Sequence, residues 1–210
     1  MKTYHKINTV FKRDMEGNKK IILGAWALPE YDYLQNNEWV YTEKVDGTNI
    51  RVNWDGKDVA YGGRTEEAQI PNGIINRLNN LFYSEEAKKR LSAVFPGGNV
   101  VLFGEGYGAG IQKAGKQYNL SQDFVLFDIL VGGVYLERHN VEDVAQKLGL
   151  EVVPVIGSGT LNGAIERVQQ GFVSQWGEFA AEGIVARPKT EMLNRKGERI
   201  IAKIKTVDFK

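Results

Sequence analysis

The stretch "YTEKVDGTNIRV", Tyr41 to Val52, decides how the chain is laid out. Its alternation and β-branched residues read as a half-buried strand, yet Asp46-Gly47 in the middle is a turn-forming pair. In an unbroken strand Lys44 and Asp46 share one face, just before a glycine that has no Cβ to keep another molecule at a distance. Outward from it, "KKIILGAW" and "NEWVYTEKV" read as strands, and "TNIRVNWDGKDVAYGGRT" reads as a hairpin turning at Asp55-Gly56. Pro71 to Phe95 is helical, with Ser84 as an N-cap, Glu85 and Glu86 in the first turn, and Ala87, Leu91 and Val94 at helical spacing. "NVVLFGEGYG" and "DFVLFDILVGGVYL" return to strand. Asn140 is expected to cap a helix with Val141, Val144 and Leu148 on one face, ended by Gly149. "EVVPVI" reads as a short strand, Leu161, Ala164, Ile165 and Val168 line a helix that stops at Gly171, and "EGIVAR" and "RIIAKIKTVDF" close the chain as strands. This order predicts an α+β fold of antiparallel β-sheets with flanking helices rather than a strict βαβ repeat.

Composition narrows the chemistry. A chain of 210 residues matches one domain on a prior of about 100–200 residues per domain. With 42% hydrophobic residues it can bury an ordinary core. It has no apolar run of the roughly 18 residues that would span a membrane. Lysine and arginine number 27 against 26 acidic residues, so binding to a polyanion must come from a local patch. The absence of cysteine removes disulfides, thiolate metal sites and cysteine nucleophiles together. His5 and His139 lack ligand spacing. The N-terminus "MKTYHKINTVFKRD" has no apolar signal core, which predicts a cytoplasmic protein, the host cytoplasm included if the source is viral.

The remaining polar residues suggest one site. Lys44 and Asp46 precede Gly47, Glu105 lies between glycines in "FGEGYG", Glu182 precedes Gly183, and Lys203 and Lys205 share a strand face. A lysine attacks only as the neutral amine, a state that neighbouring cations and removal from water favour. Carboxylates in such a set can hold the divalent metal that neutralises a leaving pyrophosphate. Taken singly, "KVDG" also occurs in surface hairpins, "KIK" on exposed strands and "GEG" in turns. "EEAKKR", Glu85 to Arg90, reads as a solvated helix face or an RNA-backbone contact, and Trp26, Tyr31, Tyr33 and Trp39 as packing or base-stacking surface.

The ordered set resembles the covalent nucleotidyltransferase superfamily of ATP-dependent RNA and DNA ligases and mRNA capping enzymes. "EKVDGTN" resembles its nucleotidyl-lysine motif, "YGGRT" its arginine element, and "LFGEGYG" its glutamate motif. "FVLFDI" resembles its aromatic element, "EGIVAR" its second glutamate motif and "IAKIK" its closing lysine pair. Thr48-Asn49 after the glycine is more similar to the RNA ligase 2-like branch. The resemblance implies an ATP-grasp-like nucleotidyltransferase domain over residues 1–210, with Lys44 as the AMP-accepting nucleophile and Lys203 and Lys205 gripping the α-phosphate. It implies nucleotide binding by Glu43, Asp46, Asn49, Arg64, Glu105, Phe127 and Glu182. Among these, Glu105 would meet a ribose hydroxyl, Phe127 would stack on adenine, and Glu182 would help place the metal. Asn49 and Arg64 would contact phosphate or polynucleotide. It further implies ATP and Mg2+ or Mn2+ as cofactors and RNA as substrate.

Two features depart from the pattern. Arg187 stands where a lysine is common, which keeps the charge and changes the geometry. The sequence also ends five residues after Lys205, which predicts a catalytic domain without an appended OB-fold or C-terminal domain, either a natural compact ligase or a piece of a longer one, with a partner as one source of the missing domain. A minimal DNA ligase and a non-catalytic nucleotide- or RNA-binding module stand as the alternatives.

Overall fold

In the computed structural model, which describes residues 2–210, the expected strand from Tyr41 to Val52 is two strands of two different sheets. In chain order the strands are β1 Asn8–Thr9, β2 Phe11–Arg13, β3 Ile21–Trp26, β4 Trp39–Glu43, β5 Thr48–Trp54 and β6 Val59–Gly62. They continue with β7 Val100–Gly108, β8 Gln122–Val131, β9 Val134–Tyr135, β10 Val155–Gly159, β11 Gly183–Pro188 and β12 Ala202–Lys205. The helices are α1 Pro29–Leu34, α2 Asn72–Phe82, α3 Glu85–Val94, α4 Gly115–Tyr118, α5 Arg138–Leu148 and α6 Leu161–Gln170. The chain forms two compact units, one of Asp46–Val153 with the N-terminal residues up to Tyr4, the other of His5–Val45 with Pro154–Lys210. The first crossing within "KVDG" therefore falls between Val45 and Asp46.

In the unit containing Lys44, the sheet order is β1-β12-β11-β4-β10, antiparallel throughout except for the parallel pair β1 and β12. Alternation sends Tyr41, Ile184, Ala186, Ala202 and Ile204 to one face, where they pack with Leu161, Ala164 and Val168 of α6. Trp39 and Tyr31 are fully buried in this core, and each satisfies its polar atom on a carbonyl, Trp39 Nε1 on Leu34 at 2.8 Å and Tyr31 Oη on Ile201 at 2.6 Å. Core packing thus accounts for both aromatics, and for Trp26, which packs its ring on Phe11. Tyr33 alone of the four stands out in solvent, at 85% exposure.

In the other unit the sheet order is β6-β5-β7-β8-β9, with every pair antiparallel. One face, from Ile50, Val52, Trp54, Leu102, Phe124, Leu126 and Ile129, packs against Ile74, Leu78 and Phe82 of α2, Leu91 of α3, and Val141, Val144 and Leu148 of α5. A large apolar side chain fully buried in this way contributes roughly 1.5–3 kcal/mol. The turn at Asp55-Gly56 forms as read, with the Asp55 carboxylate accepting from the backbone of Lys57 and Asp58. These bonds hold that carboxyl below its ordinary value. Ser84 caps α3 by accepting from Ala87 N at 3.1 Å. The helical stretch is therefore two helices, broken at Tyr83-Ser84.

Four local readings need correction. Asn140 is not a cap, because α5 starts two residues earlier, after Glu137. Within "EVVPVI" the continuous strand begins at Val155, while Val152 makes only an isolated bridge to Leu126. The last strand stops at Lys205 and Thr206–Phe209 turn into a 3-10 helix. The short helices α1 and α4, of six and four residues, carry too little periodicity to have been read.

Candidate active site

Lys44 is the first residue beyond β4, and its backbone N–H still donates to the Gly183 carbonyl at 2.9 Å, so the end of β11 fixes where it stands. Its Nζ donates to Glu182 Oε2 at 2.6 Å, and Lys205 Nζ meets Glu182 Oε1 at 2.8 Å. One carboxylate thereby ties two ammonium groups together. All three side chains are largely shielded, at 21% exposure for Lys44, 13% for Glu182 and 30% for Lys205. Gly183 makes the approach possible, since a Cβ there would sit 2.0 Å from the Ile204 carbonyl, and its φ of +156° lies outside what side chains readily adopt. In β12 the buried Ala202 and Ile204 alternate with the half-buried Lys203 and Lys205, so both lysines lie on the face away from the α6 core.

Glu43 points the other way. Its carboxylate is buried, accepting from Ser174 Oγ at 2.6 Å and from Gln175 N at 2.8 Å, so it anchors the loop ahead of Glu182. Burial raises its carboxyl above the ordinary value, opposed by those two bonds. Arg187 is buried 3.6 Å from Glu191, whose carboxylate also holds Arg199. Its side chain thus belongs to a buried charge network.

In the other unit, β5 and β7 bring Asn49 and Glu105 opposite each other on the face away from the helices, in one cross-strand row with Val125. Asn49 Oδ1 is buried and accepts no hydrogen bond from a described residue, an acceptor ready for a ligand donor such as a hydroxyl. Phe127 reaches the same face through a β-bulge. The register passes from Phe103 opposite Asp128 to Gly104 opposite Leu126, which leaves Phe127 as the extra residue. Its ring packs with Tyr4, centroids 5.1 Å apart, and against the cluster of Val101, Phe103 and Leu130, while Tyr4 Oη donates to the buried Asp128 at 2.5 Å. Asp46 is positioned by its backbone, whose N–H donates to the Tyr118 hydroxyl at 3.3 Å. Arg64 is exposed on the loop after β6.

Gly47 has a different reason from the one expected. What comes close to it is the protein itself, because a Cβ at Gly47 would lie 2.4 Å from the Gly106 carbonyl and 2.7 Å from Glu105 Cγ. Gly104 next to Glu105 is likewise small because the Phe124 ring fills the space beneath it, 2.3 Å from where its Cβ would be. Gly47→Ala therefore forces backbone apart and destabilises the protein by about 1–3 kcal/mol, read as a lowered urea midpoint. An unchanged midpoint would place the close approach elsewhere.

Among the described residues no group of three or more histidine or acidic side chains is arranged to hold a metal. Both Glu182 oxygens are engaged by ammonium groups. In this geometry a divalent ion at Glu182 fits only beside further oxygens, of the kind phosphates supply. The aromatics of Tyr4 and Tyr118 and the anchors Ser174 and Gln175 were not legible in the sequence, since no local pattern ties them to partners so distant in the chain.

The sheets and helices together have the nucleotidyltransferase architecture of solved RNA ligases. A variant of the Naegleria gruberi RNA ligase with ATP and Mn is 20% identical, with a TM-score of 0.65, over 84% of this chain and 52% of that one. The same ligase with PPi is 21% identical, TM-score 0.64, over 84% and 52%. An apo variant is 19% identical, TM-score 0.66, over 86% and 53%. The chain thus spans about half the length of the solved structures it matches. The RNA ligase family model matches residues 37–205, and the chain belongs to that family.

Proposed function

We propose that this chain is the catalytic part of an ATP-dependent RNA ligase that joins a 5′-phosphate to a 3′-hydroxyl through a lysyl-AMP intermediate. The observation that carries the reading is the Lys44–Glu182–Lys205 cluster, a shielded lysine held beside a second cation by a shared carboxylate. In the first step the Lys44 amine, having lost its proton, attacks the α-phosphorus of ATP, a P–N bond forms and pyrophosphate leaves. AMP then passes to an RNA 5′-phosphate, freeing the lysine, and a 3′-hydroxyl attacks that phosphate and expels AMP.

Each residue has a stated part. Lys203 and Lys205 neutralise charge on the α-phosphate, Glu105 and Asn49 accept from or orient ribose hydroxyls and phosphate, and Phe127 offers a ring to the base. Asp46 serves as the acid of the nucleotidyl-lysine motif, and Arg64 forks onto phosphate oxygens. Glu43 supports the nucleotide site through the Ser174–Gln175 loop. Mg2+ or Mn2+ brought with the phosphates would be held partly by Glu182 and would supply charge neutralisation. Tight positioning and charge compensation do most of the work in such chemistry. We place the reaction in the cytoplasm, and no helix among the described residues is long and apolar enough to cross a membrane.

The test uses a pair of nicked duplexes with pre-adenylylated 5′ ends, identical except for ribose or deoxyribose at the 3′-hydroxyl. A 2′-hydroxyl is what a protein can read to tell RNA from DNA. The ribose nick is expected to seal at least about tenfold faster, and both reactions should slow with added salt as phosphate contacts weaken. Equal or faster sealing of the all-DNA nick would turn the reading toward a DNA ligase. Failure to seal either, with no AMP label from ATP, would leave a binding module.

A further inference from the structure

Arg51 belongs to no motif noted in the sequence, yet it is the most deeply buried arginine among the described residues, with 1% of its side chain exposed. It lies on the face of β5 that also carries Asn49 and stands opposite Gly62 of β6 and Phe103 of β7. Three of its guanidinium hydrogen bonds go to a single loop. Nε donates to the Gly63 carbonyl at 2.6 Å, Nη2 to the Thr65 carbonyl at 3.1 Å, and Nη1 to Glu66 Oε1 at 3.0 Å. The residue enclosed by these three contacts is Arg64, whose own side chain is exposed.

The glycines of "YGGRT" fit this arrangement. A Cβ at Gly62 would lie 3.0–3.3 Å from the Arg51 guanidinium, and one at Gly63 would lie 2.8 Å from the Ala68 side chain. Gly62 thus leaves room for the guanidinium, and Gly63 lets the loop fold back on itself. Glu66 is exposed, and the bond from Arg51 holds its carboxyl below the ordinary value. A buried guanidinium with its fork satisfied by fixed carbonyls is rigid, and a lysine with a single nitrogen cannot reach three divergent acceptors.

We infer that Arg51 is a positioning residue, which holds the Gly63–Glu66 loop so that Arg64 is presented to phosphate oxygens of the nucleotide or of the RNA end. This rests on the ligase reading for what Arg64 contacts, whereas the tie between Arg51 and the loop does not. Loss of the tie lets the loop sample open conformations, and the cost falls on phosphate binding through Arg64 rather than on the chemistry at Lys44.

Two measurements on the full chain decide it. The first is cleavage by an arginine-specific protease, mapped by mass, in wild type, Arg51→Lys and Glu66→Ala. Cleavage after Arg64 is expected to rise at least about tenfold in Arg51→Lys and less in Glu66→Ala, because local opening sets the rate at a tethered loop. Cleavage after Arg195, an exposed arginine of the other unit, should stay constant. Unchanged cleavage after Arg64, or a rise matched at Arg195, overturns the clamp. The second is a double-mutant cycle of Arg51→Lys with Arg64→Ala, read as KM for ATP and the rate of AMP labelling. Arg51→Lys should raise KM in the wild-type background and add nothing once Arg64 is alanine. Full additivity, or an Arg64→Ala protein with wild-type kinetics, overturns the inference. If wild type itself takes no AMP label, the ligase reading fails, and the cleavage comparison still decides the clamp.

Discussion

Lys44→Ala abolishes covalent retention of AMP. Incubated with ATP labelled on the α-phosphate and Mg2+, wild type should carry a label that survives denaturation and base and is released by acid, as a P–N bond is. The variant should carry at least about a thousandfold less, because no other amine can replace a nucleophile held in place for attack. Lys44→Arg should fail equally, since a guanidinium stays protonated and has no lone pair to offer. The fold should survive both changes, because Lys44 lies outside the hydrophobic cores, is 21% exposed, and leaves Glu182 still paired with Lys205. Partly exposed sites away from cores cost little when truncated, so the urea midpoint should move by less than about 1 kcal/mol equivalent. A Lys44→Ala protein that keeps its label at wild-type level would put the nucleophile elsewhere and remove the central assignment.

Lys205→Ala should slow lysyl-AMP formation at least about tenfold, since a cation aimed at developing phosphate charge in a shielded site is commonly worth a few kcal/mol. Its loss has two parts. The α-phosphate loses a partner, and Glu182, with one oxygen released, is left to pair with Lys44 alone. Lys203→Ala should show a loss of the same order through the phosphate contact. Glu182→Ala separates the two parts, because it frees both ammonium groups and takes away a carboxylate that a divalent ion would use. Its labelling rate should fall, and its dependence on Mg2+ should flatten. Wild-type labelling rates in all three variants would make β12 and the end of β11 scaffolding and nothing more.

How far the sequence led depended on whether the information was local. The helix stops at Gly149 and Gly171 and the cap at Ser84 were legible because a left-handed backbone or an N-terminal oxygen demands particular residues in place. The shared face of Lys203 and Lys205 was legible from alternation, since Ala202 and Ile204, which alternate with them, are buried. Lys44, Glu182 and Lys205 were chosen as a set through motif order, and the structure brings these three together. The break after Glu43 was not legible, since it is the Gly183 carbonyl, far along the chain, that takes the Lys44 N–H and ends the pairing. A strand that leaves one sheet to join another keeps its alternation through the change. Arg51 escaped notice for the same reason, because nothing local ties it to a loop twelve to fifteen residues further on.

The extra residue in β8 bears on how this family can vary. Up to Leu126 the even-numbered side chains enter the helix-packed core, and beyond Phe127 the odd-numbered Ile129 does. Exchanging Phe127 for another ring would alter only what that ring touches. Deleting it would close the bulge and leave the rest of the strand in register, with Asp128 still opposite Phe103 and Ile129 still opposite Leu102. A one-residue change of length is therefore absorbed at this point, whereas away from the bulge it exchanges the faces of the residues that follow. Descendants of this sequence should lose a residue at position 127 more readily than elsewhere in β8, and a gap placed there when two such chains are aligned marks the presence or absence of the bulge.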